Sequence, residues 1–208
     1  ALVPWARRCV YETAAYLLLK PGRIPYINRN LYYFAGKDVW KTLFDLEAMR
    51  PGMVLLSAQA PDGDPAWCDV VTLMTPVATR PWKAWEGSAP GRRPEAYTAL
   101  KAAMTQATVD FACARLPELR DAIAHTYAAT PLTYRHYTGA PHGAAYGLLK
   151  DWRSIMASHI PARTKFDNLL LTGQNLTVHG AIGVTLSAAA TCSEIVGTEY
   201  LAKKIANA

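Results

Sequence analysis

Apolar runs of strand length alternate with turns along most of the chain. Residues 11–19, 53–58, 70–75 and 123–130 are each mostly apolar, with Gly, Pro or Asp close to their ends, and this pattern predicts strands. The runs 53–58 and 70–75 lie on either side of a polar loop at residues 61–65. We therefore expect these two strands to pair antiparallel.

Helical spacing follows in two of the intervening segments. Asp38 is a suitable N-cap for a short helix that extends to residue 49. The clearest amphipathic helix is predicted for residues 95–116, and Pro94 stands at its start. Its apolar face is expected from side chains at three- and four-residue spacing, namely Tyr97, Leu100, Met104, Ala107 and Phe111.

A third helix belongs to a region of strand, turn and helix near the end of the sequence. The apolar run 169–171 predicts a short buried strand, and Thr172 and Gly173 end it. Residues 180–196 are small or apolar, and Gly197 stands where a left-handed C-cap is expected. The glycines of this turn and of the first helical turn allow another group to approach the backbone.

A helix that begins in such a turn presents unpaired N–H groups and a partial positive charge. An anionic or electron-rich group is therefore the expected neighbour, and a reduced flavin, with negative charge near N1 and O2, suits this position. A strand, turn and helix with small residues is also a common packing unit of α/β proteins. From spacing alone, cofactor contact and simple packing are equal alternatives.

Aromatic residues are concentrated in two further segments. Residues 24–34 predict a pair of strands with one tyrosine-rich face, which either packs in the core or lines an apolar cavity. Residues 130–147 contain Tyr134, Tyr137 and Tyr146 among glycines and prolines, a composition typical of a binding loop. The same loop holds His136 and His142, but without a nearby Asp, Glu or Cys a metal site there is not expected.

Composition restricts the class of protein. The chain has 208 residues, 51% of them hydrophobic and 18% charged, so it is globular rather than disordered. The net charge is +6, and the Lys and Arg residues are spread along the sequence in runs of at most two. This distribution argues against nucleic-acid binding. It is compatible with contact at an anionic membrane surface. The four cysteines are far apart and are interpreted as reduced core thiols of a cytoplasmic protein. No run is long enough to cross a membrane.

The run LLLTGQNLTVHGAIGVTLSAAATCSEIVG resembles the C-terminal flavin-binding segment of the FAD-dependent oxidoreductases that include phytoene desaturases, carotenoid isomerases and retinol saturases. The run TPLTYRHYTGAPHGAAYG is similar to a second segment of that family. The resemblance implies FAD as the cofactor, with its ribityl-pyrophosphate region and ring system in contact with Thr172, Gly173, Gln174, His179, Gly180, Ile182 and Gly183. It further implies that Tyr134, Tyr137 and Tyr146 lie on the substrate side of the flavin.

The family's N-terminal fingerprint for the ADP part of FAD, GxGxxG after a strand, does not occur in the sequence. We therefore expect an α/β protein that is α+β in its substrate part. Residues 1–147 would form an incomplete substrate domain with a mixed or antiparallel sheet, and residues 148–208 the C-terminal segment of an incomplete FAD-binding Rossmann-like domain. Three explanations stay open. The chain is a fragment or a subunit of a split enzyme, with the ADP-binding half in the same or another polypeptide, or it is a degenerate protein that kept the fold for binding.

Two functions are compatible with these features. The first is the C-terminal region of an FAD-dependent oxidoreductase that desaturates, saturates or isomerises C=C bonds of a polyisoprenoid, carotenoid or retinoid-like substrate. The alternative is a non-catalytic module, derived from that fold, that binds an apolar ligand or a partner. Catalytic residues stay unassigned, because in this family the flavin performs the hydride chemistry.

Overall fold

The computed structural model describes residues 12–44, 50–63, 66–140, 143–148, 150 and 158–207. The chain divides into two compact units. The larger unit covers Tyr11–Ala145, and the smaller one contains Tyr146–Ala208. The assignment of substrate binding to one part and flavin binding to the other stays a prediction.

The described part of the larger unit contains a five-stranded antiparallel sheet in the order β2-β3-β4-β1-β5. Its strands are β1 Glu12–Leu19, β2 Leu31–Phe34, β3 Met53–Gln59, β4 Val70–Pro76 and β5 Ile123–Ala129. The predicted antiparallel pairing of the second and third apolar runs is confirmed, with Leu56 opposite Leu73. Leu17 of β1 lies opposite Val71 on one side and Thr126 on the other. β2 and β5 are the edges of this sheet.

The described helices of the larger unit are α1 Val39–Phe44, α2 Glu95–Cys113, α3 Leu119–Ala122 and α4 Pro131–Thr138, and a 3₁₀ helix covers Arg80–Trp85. The Lys41 N–H donates a hydrogen bond to Oδ1 of Asp38 at 2.9 Å, which confirms Asp38 as the cap of α1. The predicted continuation of this helix to residue 49, the strand residue Tyr11 and the loop residues 64–65 lie outside the described residues.

One face of the sheet packs against α2 and forms the core of the larger unit. From the sheet, Leu17, Val54, Leu56, Val71 and Leu73 are completely buried. α2 contributes Val109, Ala112 and Cys113 to the same cluster. The predicted face of α2 is therefore only partly right: Tyr97 and Met104 are buried, but Leu100, Ala107 and Phe111 are half-buried. The sequence pattern assigned the buried face mainly to large side chains. Where α2 lies on the sheet, however, the smaller side chains of Val109, Ala112 and Cys113 are the buried ones.

The tyrosine-rich segment 24–34 does not form the expected pair of strands. Only Leu31–Phe34 is a strand, paired with β3. Earlier in the segment, Pro25 makes a single bridge to Trp67. Proline cannot donate a hydrogen bond to a sheet, and this limits regular pairing at that end.

The segment predicted as a binding loop begins with a helix. Thr130 and Thr133 form a capping box at the start of α4, and Pro131 is in the first turn. The helix ends at Gly139, which has φ +67° in the left-handed region. The loop prediction is thus wrong for Pro131–Thr138, because local capping stabilises a helix that the glycines and prolines around it obscure.

The smaller unit contains the helices α5 Gly180–Val196 and α6 Thr198–Ala206. The predicted helix 180–196 is confirmed. Gly197 does have a positive φ of 88°, but its ψ of 141° is extended rather than left-handed helical. The N–H of Gly197 donates to the Ser193 carbonyl at 2.9 Å, and the same glycine precedes α6.

Residues 169–171 do not form the predicted buried strand. Leu170 makes one isolated antiparallel bridge, to Arg163. Leu169 and Leu171 are 46% and 39% exposed. Their backbone groups instead bond to loop atoms, because the described part of the smaller unit offers no neighbouring strand. The described elements are therefore those of an α+β protein, and the Rossmann-like part of the prediction is not confirmed.

Candidate functional site

The turn before α5 leaves one glycine open to its surroundings. The Leu176 N–H donates to the Gly173 carbonyl at 3.2 Å, and the Leu176 side chain is buried. Gly173 has φ +106°, and a Cβ at this position would meet no atom of the described residues within 4 Å. Thr172 beside it is exposed, and Gln174 is half-buried. A ligand can thus approach the backbone of this turn at Gly173.

The first turn of α5 also lacks a side-chain cap. His179 precedes the helix in an extended conformation and makes no capping hydrogen bond. Gly180 has φ +80°, with no described atom within 4 Å of the place of its missing Cβ. The first N–H groups of α5 are therefore available as donors to a ligand. Ile182, in the same turn, is 78% exposed and offers an apolar contact beside them.

Gly183 is buried and has a different environment from Gly180. A Cβ on Gly183 would collide with the backbone carbonyl of Val178. The same side of α5 bonds to the turn, since the hydroxyls of Thr177 and Ser187 are 3.1 Å apart. This side of the helix packs against its own preceding segment, so the missing side chain of Gly183 already has a structural reason.

Two of the predicted site residues are in direct ring contact. The centroids of Tyr146 and His179 are 4.8 Å apart, with 39° between their planes. Tyr146 was predicted on the substrate side and His179 on the cofactor side. The structure brings these two together within the smaller unit.

Lys150 organises the turn and was missed by sequence reasoning. Its Nζ donates hydrogen bonds to the carbonyls of Ser158, Asn175 and Leu176. Burial lowers the pKa of Lys150. Oδ1 of Asn175 accepts a hydrogen bond from the Leu148 N–H at 3.0 Å. A lone lysine in a sequence carries no signal for this role, although Asn175 is part of the Thr-Gly-Gln-Asn run.

The other two predicted substrate tyrosines lie on α4 in the larger unit. Tyr134 is half-buried, and its hydroxyl donates to Oε1 of the buried Glu12 at 3.2 Å. Burial, and then the negative charge of Glu12, raise the pKa of Tyr134. Tyr137, one helical turn later, is 77% exposed and contacts the ring of His136.

α5 exposes much of its apolar surface. Within this helix only Gly183 and Ser187 are buried, whereas five large apolar side chains are exposed: Ile182, Val184, Leu186, Ile195 and Val196. So many exposed large apolar side chains on one helix indicate a contact with something else.

The part of the chain that the structure describes contains no group of three His, Cys, Asp or Glu residues able to hold a metal ion, and His142 lies outside that part. None of its helices combines the length and the apolar character that a membrane span requires. Cys68 and Cys113 are buried as expected, but Cys192 on α5 is exposed, contrary to the core-thiol interpretation. Cys9 is outside the described residues.

No protein-family model matches the chain. The chain is 29% identical over 187 residues to the all-trans-retinol 13,14-reductase of Homo sapiens, which covers 83% of this chain and 30% of that protein. It is 30% identical over 143 residues to the proteins of the same name from Macaca fascicularis and Rattus norvegicus, which covers 64% of this chain and 23% of each relative. The chain thus spans less than a third of the length of the curated relatives that it matches. Their name agrees with the retinol saturase part of the resemblance.

Proposed function

We propose that the chain is the C-terminal region of an FAD-dependent oxidoreductase that reduces a C=C bond of a retinoid or a similar polyisoprenoid. The observation that carries this proposal is the similarity to all-trans-retinol 13,14-reductases over 187 residues. The relatives' name describes addition of hydrogen across one bond of a long apolar alcohol. Desaturation and isomerisation of related substrates are the other reactions that the family resemblance implies.

The turn and helix start of the smaller unit fit a flavin. Thr172, Gly173 and Gln174 would contact its ribityl-pyrophosphate region, where the open backbone of Gly173 allows close approach. His179, Gly180 and Ile182 would lie at the ring system. When bound, FAD supplies the hydride chemistry.

This chain's own groups orient and stabilise that cofactor. The uncapped N–H groups of α5 favour negative charge by about 0.3–1 kcal/mol, and up to about 2 kcal/mol where partly buried. Ile182, which is exposed here, would cover part of the bound ring system and keep water from it. Gly183 serves the site indirectly, because it allows α5 to pack on Val178. Its predicted direct contact with the cofactor is untested.

The substrate contacts would include Tyr134 and Tyr137 of the larger unit, whose rings would meet an apolar molecule. Tyr146, which belongs to the smaller unit, is proposed as a substrate contact of that unit. The Tyr134 hydroxyl is protonated at neutral pH, because its ordinary pKa of about 10 is raised further by burial and by Glu12. Since this hydroxyl donates to Glu12, it would act toward a substrate as a hydrogen-bond acceptor and not as a base.

The partner would be the half of the enzyme that binds the ADP part of FAD, in the same or another polypeptide. The chain spans 30% of its human relative, so most of such an enzyme lies outside the matched sequence. The exposed apolar surface of α5 would pack against that half. The resulting enzyme would be cytoplasmic, with peripheral contact to the membrane that holds its substrate.

The proposed function is tested by co-expressing the chain with the polypeptide encoded upstream of it and purifying the complex. The complex is incubated with FAD, a chemical reductant and all-trans-retinol, and the products are separated by chromatography. We expect a product with one C=C bond reduced, formed only when both polypeptides are present. Retinol bound in stoichiometric amount but unchanged, without bound flavin, would instead establish the non-catalytic apolar-ligand module.

A further inference from the structure

A groove runs along the larger unit between α2 and the edge strand β5. It has a volume of about 710 Å³. Apolar side chains line part of it, including Ala102 and Val109 from α2 and Ile123 from β5. Hydroxyl and amide groups such as Thr105 and Gln106 line the rest. The groove is therefore amphipathic, and its lining residues on α2 extend from Thr98 to Val109, about three helical turns.

A second cavity of about 430 Å³ adjoins this groove and shares Thr98, Lys101 and Ala128 with it. Three of its lining residues carry nitrogen donors: Arg93, Lys101 and His136. No Asp or Glu is among the described residues that line either cavity. Positive charge thus collects at one end of an elongated, partly apolar space.

Arg93 is held in place without a carboxylate partner among the described residues. Its Nη1 donates to the Tyr97 hydroxyl at 2.5 Å and its Nη2 to the Leu132 carbonyl at 3.3 Å. The guanidinium lies over the Tyr97 ring, 4.6 Å from the centroid. Its Nε is buried and has no hydrogen-bond partner in the part of the chain that the structure describes. The guanidinium held in this way lines the smaller cavity, where a charge-assisted hydrogen bond to an anionic ligand is stronger than a bond to a neutral one.

Two neighbouring arginines show the contrast. Arg120, which lines the groove, pairs with Asp110 at 2.7 Å, and Arg135 on α4 pairs with Glu86 at 3.1 Å. These two charges are already balanced, whereas Arg93 and Lys101 have no ion pair within the described residues. The preferred position of an anion is therefore the smaller cavity.

We propose that the larger unit binds an amphipathic organic anion at this place. Its carboxylate or phosphate headgroup lies among Arg93, Lys101 and His136, and its apolar chain extends along the groove against Val109 and Ile123. No flavin is required for this binding, so its success or failure is independent of the proposed enzymatic function.

The test is isothermal titration calorimetry of the 208-residue chain with four probes: decyl phosphate, decanoate, decanol and inorganic phosphate, the amphiphiles below their micelle-forming concentrations. We expect one site for decyl phosphate or decanoate, at least about tenfold tighter than for decanol, because a hydrogen-bonded charge is worth one to two factors of ten. Comparison of the two anionic amphiphiles identifies the preferred headgroup.

Substitutions locate the site. Arg93→Gln and Lys101→Gln should each weaken binding of the anionic amphiphile by about tenfold or more. Lys101 is the safer variant for folding, because no described hydrogen bond depends on its ammonium group. The matched controls are Arg92→Gln and Lys83→Gln, which remove the same charges from exposed positions outside both cavities and should leave affinity unchanged.

Three results would overturn the proposal. The first is the absence of saturable binding of both anionic amphiphiles. The second is binding that Arg93→Gln and Lys101→Gln, both with native circular dichroism, leave unchanged. The third is inorganic phosphate bound as tightly as decyl phosphate, which would remove the groove from the site.

Discussion

The backbone carbonyl of Val178 occupies the space that a side chain on Gly183 would need. The first turn of α5 therefore lies directly on the segment that leads into it. This contact fixes the start of α5 relative to the turn at Gly173. Gly183 therefore contributes to the candidate cofactor site through packing.

Gly183→Ala should destabilise the smaller unit even without any cofactor. The added methyl group would force the helix away from Val178, at a cost of about 1–3 kcal/mol, as is usual for overpacking. The free energy of unfolding, measured by urea denaturation of the apoprotein, checks this. Ile182→Ala is the control, since Ile182 is exposed in the same turn and its loss should change stability by less than about 0.5 kcal/mol. Equal stabilities of the two variants would show that the helix does not approach Val178 so closely.

Thr130→Val should destabilise the larger unit by about 1–3 kcal/mol, because it removes both a helix cap and a buried hydrogen bond. The Thr130 hydroxyl takes part in the capping box of α4 and lies 2.8 Å from the Tyr97 hydroxyl. Thermal unfolding gives the measurement. Thr133→Val removes the bond from the Thr130 N–H and the weaker contact with the Thr130 hydroxyl but leaves the bond between Thr130 and Tyr97, and it should have the smaller effect. If Thr133→Val were the more destabilising variant, the buried pair with Tyr97 would not have the assigned importance.

In the folded protein, Tyr134 should stay protonated at the alkaline pH at which a tyrosine of the unfolded chain ionises. Its pKa is raised in the folded protein, so its stabilising contribution is complete below the unfolded value of about 10 and is lost as pH rises above that. Tyrosinate absorbance between about pH 9 and pH 11 should therefore have the same amplitude in Tyr134→Phe as in the unmodified chain. A decrease by the share of one of the eleven tyrosines would show that Tyr134 ionises with the others.

The cysteines should differ in reactivity toward iodoacetamide. Cys192 is exposed, whereas Cys68 and Cys113 are buried and have raised pKa values, mainly through desolvation. Since the thiolate is the reactive form, Cys192 should be alkylated before Cys68 and Cys113 under native conditions. Peptide mapping by mass spectrometry measures each site. Alkylation of Cys68 or Cys113 at the rate of Cys192 would contradict the described core of α2 and the sheet.

Patterns along the sequence predict elements whose period and ends are both clear. The helix 180–196 has this property, and so do the strands β3 and β4, which a polar loop separates. The apolar run 169–171 shows the limit, because a strand needs a neighbour that local sequence does not reveal. In contrast, the helix α4 could have been found from Thr130 and Pro131, which together are a signal for a helix start.

The candidate site was predictable only where its residues are adjacent in the sequence. The glycine-containing turn and the helix start were identified from the order of residues in one run. Local sequence does not reveal contacts that form only when the chain folds. Examples are the hydrogen bonds of Lys150 to the carbonyls of Asn175 and Leu176 and the packing of Gly183 on Val178. Nothing in the local composition of Arg93 and Lys101 distinguished them from other surface cations.

The most direct test of the proposed cofactor site is the flavin content of the chain purified together with its upstream polypeptide, measured from visible absorbance after removal of free FAD. Ile182→Glu places a carboxylate in the exposed first turn of α5, and Ile205→Glu makes the same change at an exposed position of α6. We expect the unmodified protein and Ile205→Glu to retain flavin, and Ile182→Glu to lose most of it with unchanged circular dichroism. Full flavin content in Ile182→Glu, or no flavin in any of the three preparations, would contradict the placement of FAD at the start of this helix.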